Sequence, residues 1–377
     1  MPRVRLLQTS DVHLRPDRPE RRRALEKAFA EAVKRAADGV VVAGDLFDRN
    51  ADVVAERAAV RKMVQEIAPR PVIFVPGNHD PDAYGSSADF GANAVVLAKP
   101  PYTRARACGL EIVGVPYQHG RTVAECLTGI ATDPRHTVVV AHATLVDGVA
   151  DAFAGEGEDG AFMPVFAPDV TRRCCYAALG HLHGGRNLAQ REGERLIAYA
   201  GSPVTTSSRE LGPRGVLVVD LEPGVGVLSH EHVPLATPYH ERVEVPCIPG
   251  AEREALEQLA KRSSALKAPY VRVLARLSGV SIEPESALRD AASRALGLAW
   301  GAPVPGTPRP AGGSDDDAAS FPILELAVTS FPQLAQTAVV SEFVSRLVGR
   351  ARSRGDDAAT VERALRIGLA AFQESLP

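Results

Sequence analysis

The chain has 377 residues, 45% of them hydrophobic, and a formal net charge of −3. That length suits one large catalytic domain with one or two small ones, and the apolar content is ample for a packed core. No apolar stretch approaches the length of a membrane span, and the charge balance gives no general attraction for nucleic acid, so any cations that meet phosphate must be local.

Residues 3–8 read as a first strand, ending just before Asp11-Val-His13. Residues 21–37 place Leu25, Phe29, Ala32 and Val33 on one stripe with charges opposite, the pattern of an amphipathic helix. Gly39-Val-Val-Val-Ala43 then runs into Gly44-Asp45-Leu-Phe-Asp48. A second helix is expected over residues 53–68, with Val60, Met63, Val64 and Ile67 inward. Pro71-Val-Ile-Phe-Val75 precedes Gly77-Asn78-His79-Asp80, Thr137-Val-Val-Val-Ala141 precedes His142, and Tyr176-Ala-Ala-Leu179 precedes Gly180-His181-Leu-His183. Short apolar runs bounded by Gly or Pro suit strands buried on both faces.

Each polar cluster therefore sits where a buried strand ends. In layered α/β sheets, ligand groups gather in the crevice beyond the carboxyl ends of the strands, so clusters far apart in sequence meet in space. Gly44, Gly77 and Gly180 suit tight turns with close backbone approach. Any one of these residues alone reads as a cap or turn residue, Asn78 included. Together they share one topological position and one ligand chemistry. They supply two Asp, one Asn and four His with ligand chemistry, plus one further His, which is enough to hold two divalent cations and leave an imidazole free for catalysis. Mixed carboxylate, amide and imidazole donors suit Mn²⁺, with Fe²⁺ or Zn²⁺ as alternatives, and exclude a thiolate-type structural zinc.

The pattern Asp-x-His, Gly-Asp-x-x-Asp, Gly-Asn-His-Asp, His, Gly-His-x-His resembles the calcineurin-like metallophosphoesterases, over residues 4–221. Gly44-Asp-Leu-Phe-Asp48, Val75-Pro-Gly-Asn-His-Asp80 and Tyr199-Ala-Gly-Ser-Pro203 resemble, within that superfamily, the DNA-repair exonuclease branch of SbcD- and YhaO-like nuclease subunits. The resemblance implies a two-sheet α/β sandwich with a binuclear site at one edge and two-metal hydrolysis of phosphodiester bonds. It implies that Asp11, His13 and His183 hold one ion, that Asn78, His142 and His181 hold the other, and that Asp45 bridges them. His79 would stabilise the transition state or protonate the leaving oxygen, and Asp48 would orient His79. Some nuclease relatives carry a second His at the Asp48 position, so DNA placement does not transfer there.

Residues 194–200 and 215–221 read as closing strands of the second sheet. From residue 239 the pattern becomes strand, helix (251–267), strand (270–277) and helix (283–296). The domain layout expected is a catalytic domain over 1–236, a small α/β cap that binds DNA over 237–300, a flexible linker over 301–320 and C-terminal helices over 321–377. The helix at 331–349 presents Leu334, Ala338, Phe343, Leu347 and Val348, and that at 356–374 presents Val361, Leu365, Leu369 and Phe372. Such stripes more often pack inside their own chain. The resemblance adds docking of an SbcC-like coiled-coil ATPase, and leaves room for a homodimer. Arg21 to Arg23, Arg104 with Arg106, and Arg172 with Arg173 are local cations, each read first as a solvated face. The acidic, Gly-rich stretch at 147–159 reads as a mobile loop.

Five cysteines, with Cys174 and Cys175 adjacent and no Cys-x-x-Cys, read as reduced thiols in a cytoplasmic protein. No secretory leader is read before the first strand. The leading expectation is a Mn²⁺-dependent 3′-to-5′ DNA exonuclease, with endonuclease activity as an addition, acting in repair and recombination with its ATPase. A phosphodiesterase for a small nucleotide shares the same core motifs. A non-catalytic DNA-end or ATPase scaffold is the third reading, and intact ligands with His79 and Asp48 present argue against it.

Overall fold

The computed structural model describes residues 2–85, 89–146, 163–184, 188–266, 268–298, 322–334 and 338–374. The acidic stretch at 147–159 and the linker at 301–320 lie outside them. The chain divides into two compact units, Met1–Tyr239 and His240–Pro377.

In the first unit, β1 (Val4–Thr9) leads to helix α1 (Pro19–Lys34), β2 (Gly39–Ala43), α2 (Val53–Glu66), β3 (Val72–Val75) and β4 (Ala94–Val96). Pro19 opens α1, Glu20 stands in its first turn and Lys34 in its last, each favourable to the helix dipole. There follow β5 (Thr103–Ala107), β6 (Leu110–Val115), α3 (Val123–Cys126), β7 (Thr137–His142), α4 (Ala167–Thr171), β8 (Tyr176–Gly180), β9 (Ala189–Glu192) and β10 (Arg195–Tyr199). The unit ends with β11 (Gly215–Glu222) and β12 (Gly226–Pro234).

These strands form two six-stranded sheets, in the orders β12-β11-β1-β2-β3-β4 and β5-β6-β7-β8-β10-β9. Val4, Leu6, Val41, Ile73 and Val75 of the first face Ile112, Val138, Val140, Tyr176 and Ala178 of the second. The outer face of the first sheet is covered by Leu25, Phe29, Val60 and Val64 of α1 and α2. The outer face of the second carries Val123, Cys126 and Val170 of α3 and α4. Both faces of each sheet are thus covered, which is why β2, β3, β7 and β8 are buried at every position instead of alternating.

One expectation is corrected. Residues 215–221 do not close the second sheet: β11 pairs antiparallel with β1 in the first, Val4 opposite Leu221 and Gln8 opposite Leu217. Leu217, Val219 and Leu221 turn to the inter-sheet core, while Val216 and Val218 turn to the helices. Arg5 stands opposite Asp220 in this register, and its Nε donates to Asp220 Oδ1 at 2.8 Å. That cross-strand ion pair is the charge signal that places β11 beside β1.

The second unit begins with β13 (Tyr239–Cys247), α5 (Glu252–Ala265), β14 (Val271–Ser281) and α6 (Glu285–Ala295). It continues with β15 (Ile323–Ser330), α7 (Ala338–Arg354) and α8 (Ala358–Glu374). The sheet order is β13-β14-β15, with β15 parallel to β14 from Leu274 opposite Ile323 to Ser281 opposite Ser330. Arg276 ties the three strands, 3.5 Å from Glu244 and 3.3 Å from Glu325. Helices alone were expected over 321–377; instead β15 stands at its start and pairs with β14 inside this unit. β15 escaped the sequence reading because its partner is distant in sequence and its alternation is short.

Leu365 and Leu369 of α8 are fully buried with Val280, Phe331, Leu334, Val340 and Val344, and the rings of Phe343 and Phe372 meet edge to face at 5.3 Å. The apolar stripe of the last helix thus packs inside the unit. Leu369→Ala is expected to cost about 2–5 kcal/mol, the range for truncating a fully buried leucine. Denaturant unfolding checks this; an unchanged transition for the second unit would mean α8 is not part of its core.

Candidate metal centre

At the carboxyl ends of β1, β2, β3, β7 and β8 the chain turns sharply, and there the polar clusters stand. Asp11, His13, Asp45 and His181 all have positive φ, at 53°, 51°, 48° and 104°. Non-glycine residues adopt this region at a cost of about 1–3 kcal/mol each, and such residues cluster at functional sites. The turns after β1 and β2 hold one another in that shape: the amides of Asp11, His13 and Leu14 donate to the carbonyls of Gly44, Asp45 and Leu46 at 3.1, 3.0 and 2.8 Å.

All the site residues expected from sequence meet here. His142 Nε2 lies 2.9 Å from Asn78 Oδ1 and 3.2 Å from Asp45 Oδ2. His13 Nε2 lies 3.1 Å from His183 Nε2 and 3.8 Å from Asp45 Oδ2. His183 Nε2 is 3.9 Å from Asp11 Oδ1, and the His181 amide donates to Asp11 at 3.1 Å. The rings of His142 and His181 meet nearly perpendicular at 5.3 Å, and those of His13 and His79 at 4.7 Å. Asp11, Asp45 and His142 are almost completely buried.

The donor set fits divalent cations. The Ala43 carbonyl lies 3.1 Å from His142 Nδ1 and can only accept, so Nδ1 carries a proton. The other nitrogen, Nε2, then faces two oxygen acceptors, Asn78 Oδ1 and Asp45 Oδ2. Three acceptors around one point need a proton or a cation between them. Burial is the largest influence on His142 and pushes its pKa down, yet Asp45 and Asp11 outweigh it and raise the imidazole to about 9. His183 is likewise pushed down by burial and raised to about 9 by Glu210, Asp11 and Asp45. Burial would raise Asp45, but His142, His13 and His79 hold it well below the usual carboxylate range. His181, with no acid partner strong enough to offset burial, falls to about 4. Candidate clusters of three ligand atoms form at Asp11, His13 and His183, at Asp11, Asp45 and His142, and at His13, Asp48 and His79. In the last, the Asp48 carboxylate is already engaged by Arg21 at 3.0 Å and Arg15 at 3.3 Å, which makes it a poor ligand.

The expected role of Asp48 changes in one respect. It reaches His79 through its backbone, with the carbonyl 3.0 Å from His79 Nδ1, while its carboxylate turns to His13 Nδ1 at 3.4 Å. Its Arg partners, Arg15 and Arg21, pull the side chain that way. Arg21 is thus buried structure instead of a DNA contact; Arg22 is paired with the buried Glu56 at 2.8 Å, and Arg104 is paired with Glu111.

For Asp80 and Tyr199, which stand in the quoted motifs, the contacts were not legible in sequence, and Glu210 and Thr206 were not legible at all. Asp80 is buried and accepts from the amides of Gly77 and Phe47 at 2.8 and 3.1 Å and from the Tyr84 hydroxyl at 3.1 Å, bracing the turn that carries Asn78 and His79. Burial and then Asp45 raise its pKa to about 6. Tyr199 donates to the Ala143 carbonyl and accepts from the Leu145 amide, both at 2.8 Å, fixing the exit from β7. Glu210 and Thr206 lie against His183 Nδ1 at 2.8 and 3.0 Å. Thr206 and Glu210 stand in a polar stretch well beyond the end of β10, so only proximity reveals them.

Residues 4–234 match the sequence profile of the family described as calcineurin-like phosphoesterase. The chain belongs to this family. It is a metallophosphoesterase-type hydrolase, and its two-sheet α/β architecture is the one expected. Among curated proteins it is similar to a DNA double-strand break repair protein Mre11 from Sulfurisphaera tokodaii, 26% identical over 234 residues, or 56% of this chain and 57% of that protein. The match thus spans little more than half the length of that relative. Similar solved structures include a dimetal phosphatase from Danio rerio, 10% identical with a TM-score of 0.38, covering 58% of this chain and 92% of that one. Another is the phosphoesterase Yfce from E. coli, 15% identical with a TM-score of 0.30, covering 60% and 98%.

Two outcomes are expected of this metallophosphoesterase centre. Asp45 lies between both donor groups, so Asp45→Asn should reduce metal content from about two equivalents to well under one, whereas Asn78→Ala should leave about one. Metal analysis after dialysis reads this, and retention of both ions by Asp45→Asn would refute the shared-ligand geometry. In the metal-free protein, His142 and His183 stay protonated up to about pH 9, so a cation binding at Nε2 must displace protons. Apparent Mn²⁺ affinity should therefore rise with pH through the neutral range, with proton release; a flat pH profile would contradict it.

Proposed function

We propose that this phosphoesterase is a metal-dependent DNA nuclease, a 3′-to-5′ exonuclease of DNA repair that uses Mn²⁺. The observation that carries the substrate class is the similarity of its catalytic unit to the Mre11 repair protein. The chemistry is supported by the buried, mixed oxygen and nitrogen donor set. In this reading Asp11, His13 and His183 hold one ion, Asn78, His142 and His181 the other, and Asp45 touches both. Bound there, the ions would supply Lewis-acid stabilisation of charge that develops on the phosphate.

The remaining work falls to the chain itself. His79 is half-buried at the rim, and the Asp48 carbonyl accepts from its Nδ1–H. In this reading the protonated imidazole stabilises the departing oxygen through Nε2–H or hands it that proton, and is left neutral with its remaining proton on Nδ1. Asp48, Arg15 and Arg21 form an ion-paired bracket that keeps His13 in place.

The partner in this reading is an SbcC-like coiled-coil ATPase, bound by the C-terminal helices. Leu365 and Leu369 are consumed by intramolecular packing, so docking falls to outward positions such as Val339 and Ile367, 58% and 65% exposed. A cytoplasmic location belongs to the same reading and is supported by five cysteines that are all free thiols. No helix of the described residues is long and apolar enough to cross a membrane.

The test is digestion of end-labelled duplex and single-stranded DNA with Mn²⁺, run beside a small chromogenic phosphodiester and a cyclic nucleotide. Release of nucleotides from 3′ ends is expected. Turnover of the small esters with intact DNA would sink the nuclease reading in favour of a nucleotide phosphodiesterase. His79→Ala should lower turnover ~10²–10⁴-fold while metal content stays near wild type; loss of a metal equivalent would make His79 a ligand.

A further inference from the structure

We propose that Glu210 is a positioning residue that makes the Asp11, His13 and His183 side of the centre the tighter of its two cation sites. This rests on the two-metal reading of the site but not on a nucleic-acid substrate.

Glu210 is 3% exposed, and its Oε1 lies 2.8 Å from His183 Nδ1, with the Thr206 hydroxyl 3.0 Å from the same nitrogen. A carboxylate oxygen accepts only, so Nδ1 carries the proton and Nε2 is turned inward, 3.9 Å from Asp11 and 3.1 Å from His13 Nε2. The carboxylate is itself fixed. The Thr206 amide donates to its Oε2 at 2.9 Å, the Thr206 hydroxyl donates to Oε1, and Arg214 stands 3.7 Å away. Arg214 also donates to the His183 carbonyl at 2.7 Å, and the Ser202 amide donates to that carbonyl at 3.0 Å. The stretch from Ser202 to Arg214 therefore clamps His183 at both ring and backbone, although it contributes no ligand.

The opposite side is built differently. His142 Nδ1 is backed by the neutral carbonyl of Ala43 at 3.1 Å. A carboxylate behind an imidazole raises its basicity as a ligand more than a peptide carbonyl does, and such outer partners are worth about 10–100-fold in metal affinity. Asp48, 3.4 Å from His13 Nδ1, lies on the same side as Glu210 but shares its charge with Arg15 and Arg21. The asymmetry therefore falls mainly to Glu210.

The experiment is a Mn²⁺ titration of the metal-stripped full chain, with free Mn²⁺ read by electron paramagnetic resonance. Wild type should bind in two steps of unequal affinity. Glu210→Gln should weaken the tighter step by about 10–100-fold and leave the other unchanged; Asn78→Ala should lose the weaker step. An unaltered tighter step in Glu210→Gln, or equal weakening of both, overturns the proposal. A second measurement needs no variant: ¹⁵N resonances of the Zn²⁺-loaded wild type should show His183 protonated at Nδ1 and coordinated at Nε2, and the reverse overturns the role of Glu210. Absence of any binding by wild type would bring down the two-metal reading along with it, whereas normal binding with an indifferent Glu210→Gln would bring down this inference alone.

Discussion

At the ligand edge the two sheets approach so closely that there is no room for a Cβ. One built on Gly180 of β8 would lie 1.8 Å from the Ala43 carbonyl of β2, and one on Gly44 would lie 2.1 Å from His142 Nδ1. This backbone contact brings the ends of strands from different sheets within ligand distance of one another. It draws Asp45, from the first sheet, to His142, from the second, and it lets the Ala43 carbonyl back the His142 ring. Each further feature of the centre depends on it.

Burying so many polar groups is costly unless each finds a partner. Here the compensation is internal and directional. Oxygen acceptors and imidazoles face one another at the centre, and a ring of fixed groups stands behind them: Ala43 carbonyl behind His142, Glu210 behind His183, Asp48 beside His13, Asp80 beneath Gly77. The positive φ values of Asp11, His13 and Asp45 belong to the same arrangement, since the turns they strain are held by amide–carbonyl bonds between the ends of β1 and β2, while the His181 amide is held by the Asp11 carboxylate. The network specifies ligand direction more than it adds stability.

The second unit has its own logic. Its sheet is completed by a strand that returns after residues 299–321, and its last two helices close over Val280 of β14. The stripe of Leu365 and Leu369 is consumed by this closure, the packing that the sequence favours over docking. Periodicity identified the stripe correctly as amphipathic, but amphipathicity does not say whether the apolar face meets the same chain or another.

Local sequence determined the ligand-bearing strands and the two long helices of the catalytic unit, because buried parallel strands are continuous apolar runs, three of them followed by Gly44, Gly77 and Gly180. It also determined the ligand inventory, since the residue types and their shared position after strands define the chemistry whatever the pairing of sheets. Only the tertiary structure decided that β11 joins β1, that β15 joins β14, and that Asp48 turns its carboxylate to His13 instead of His79. Only it disclosed Glu210, Thr206 and Arg214 as groups behind the centre, and what Asp80 braces. The pairings of β11 and β15 and the contacts of Glu210 and Arg214 with His183 join residues far apart in the chain, set by register and close approach, and no local pattern of apolar and polar residues encodes them.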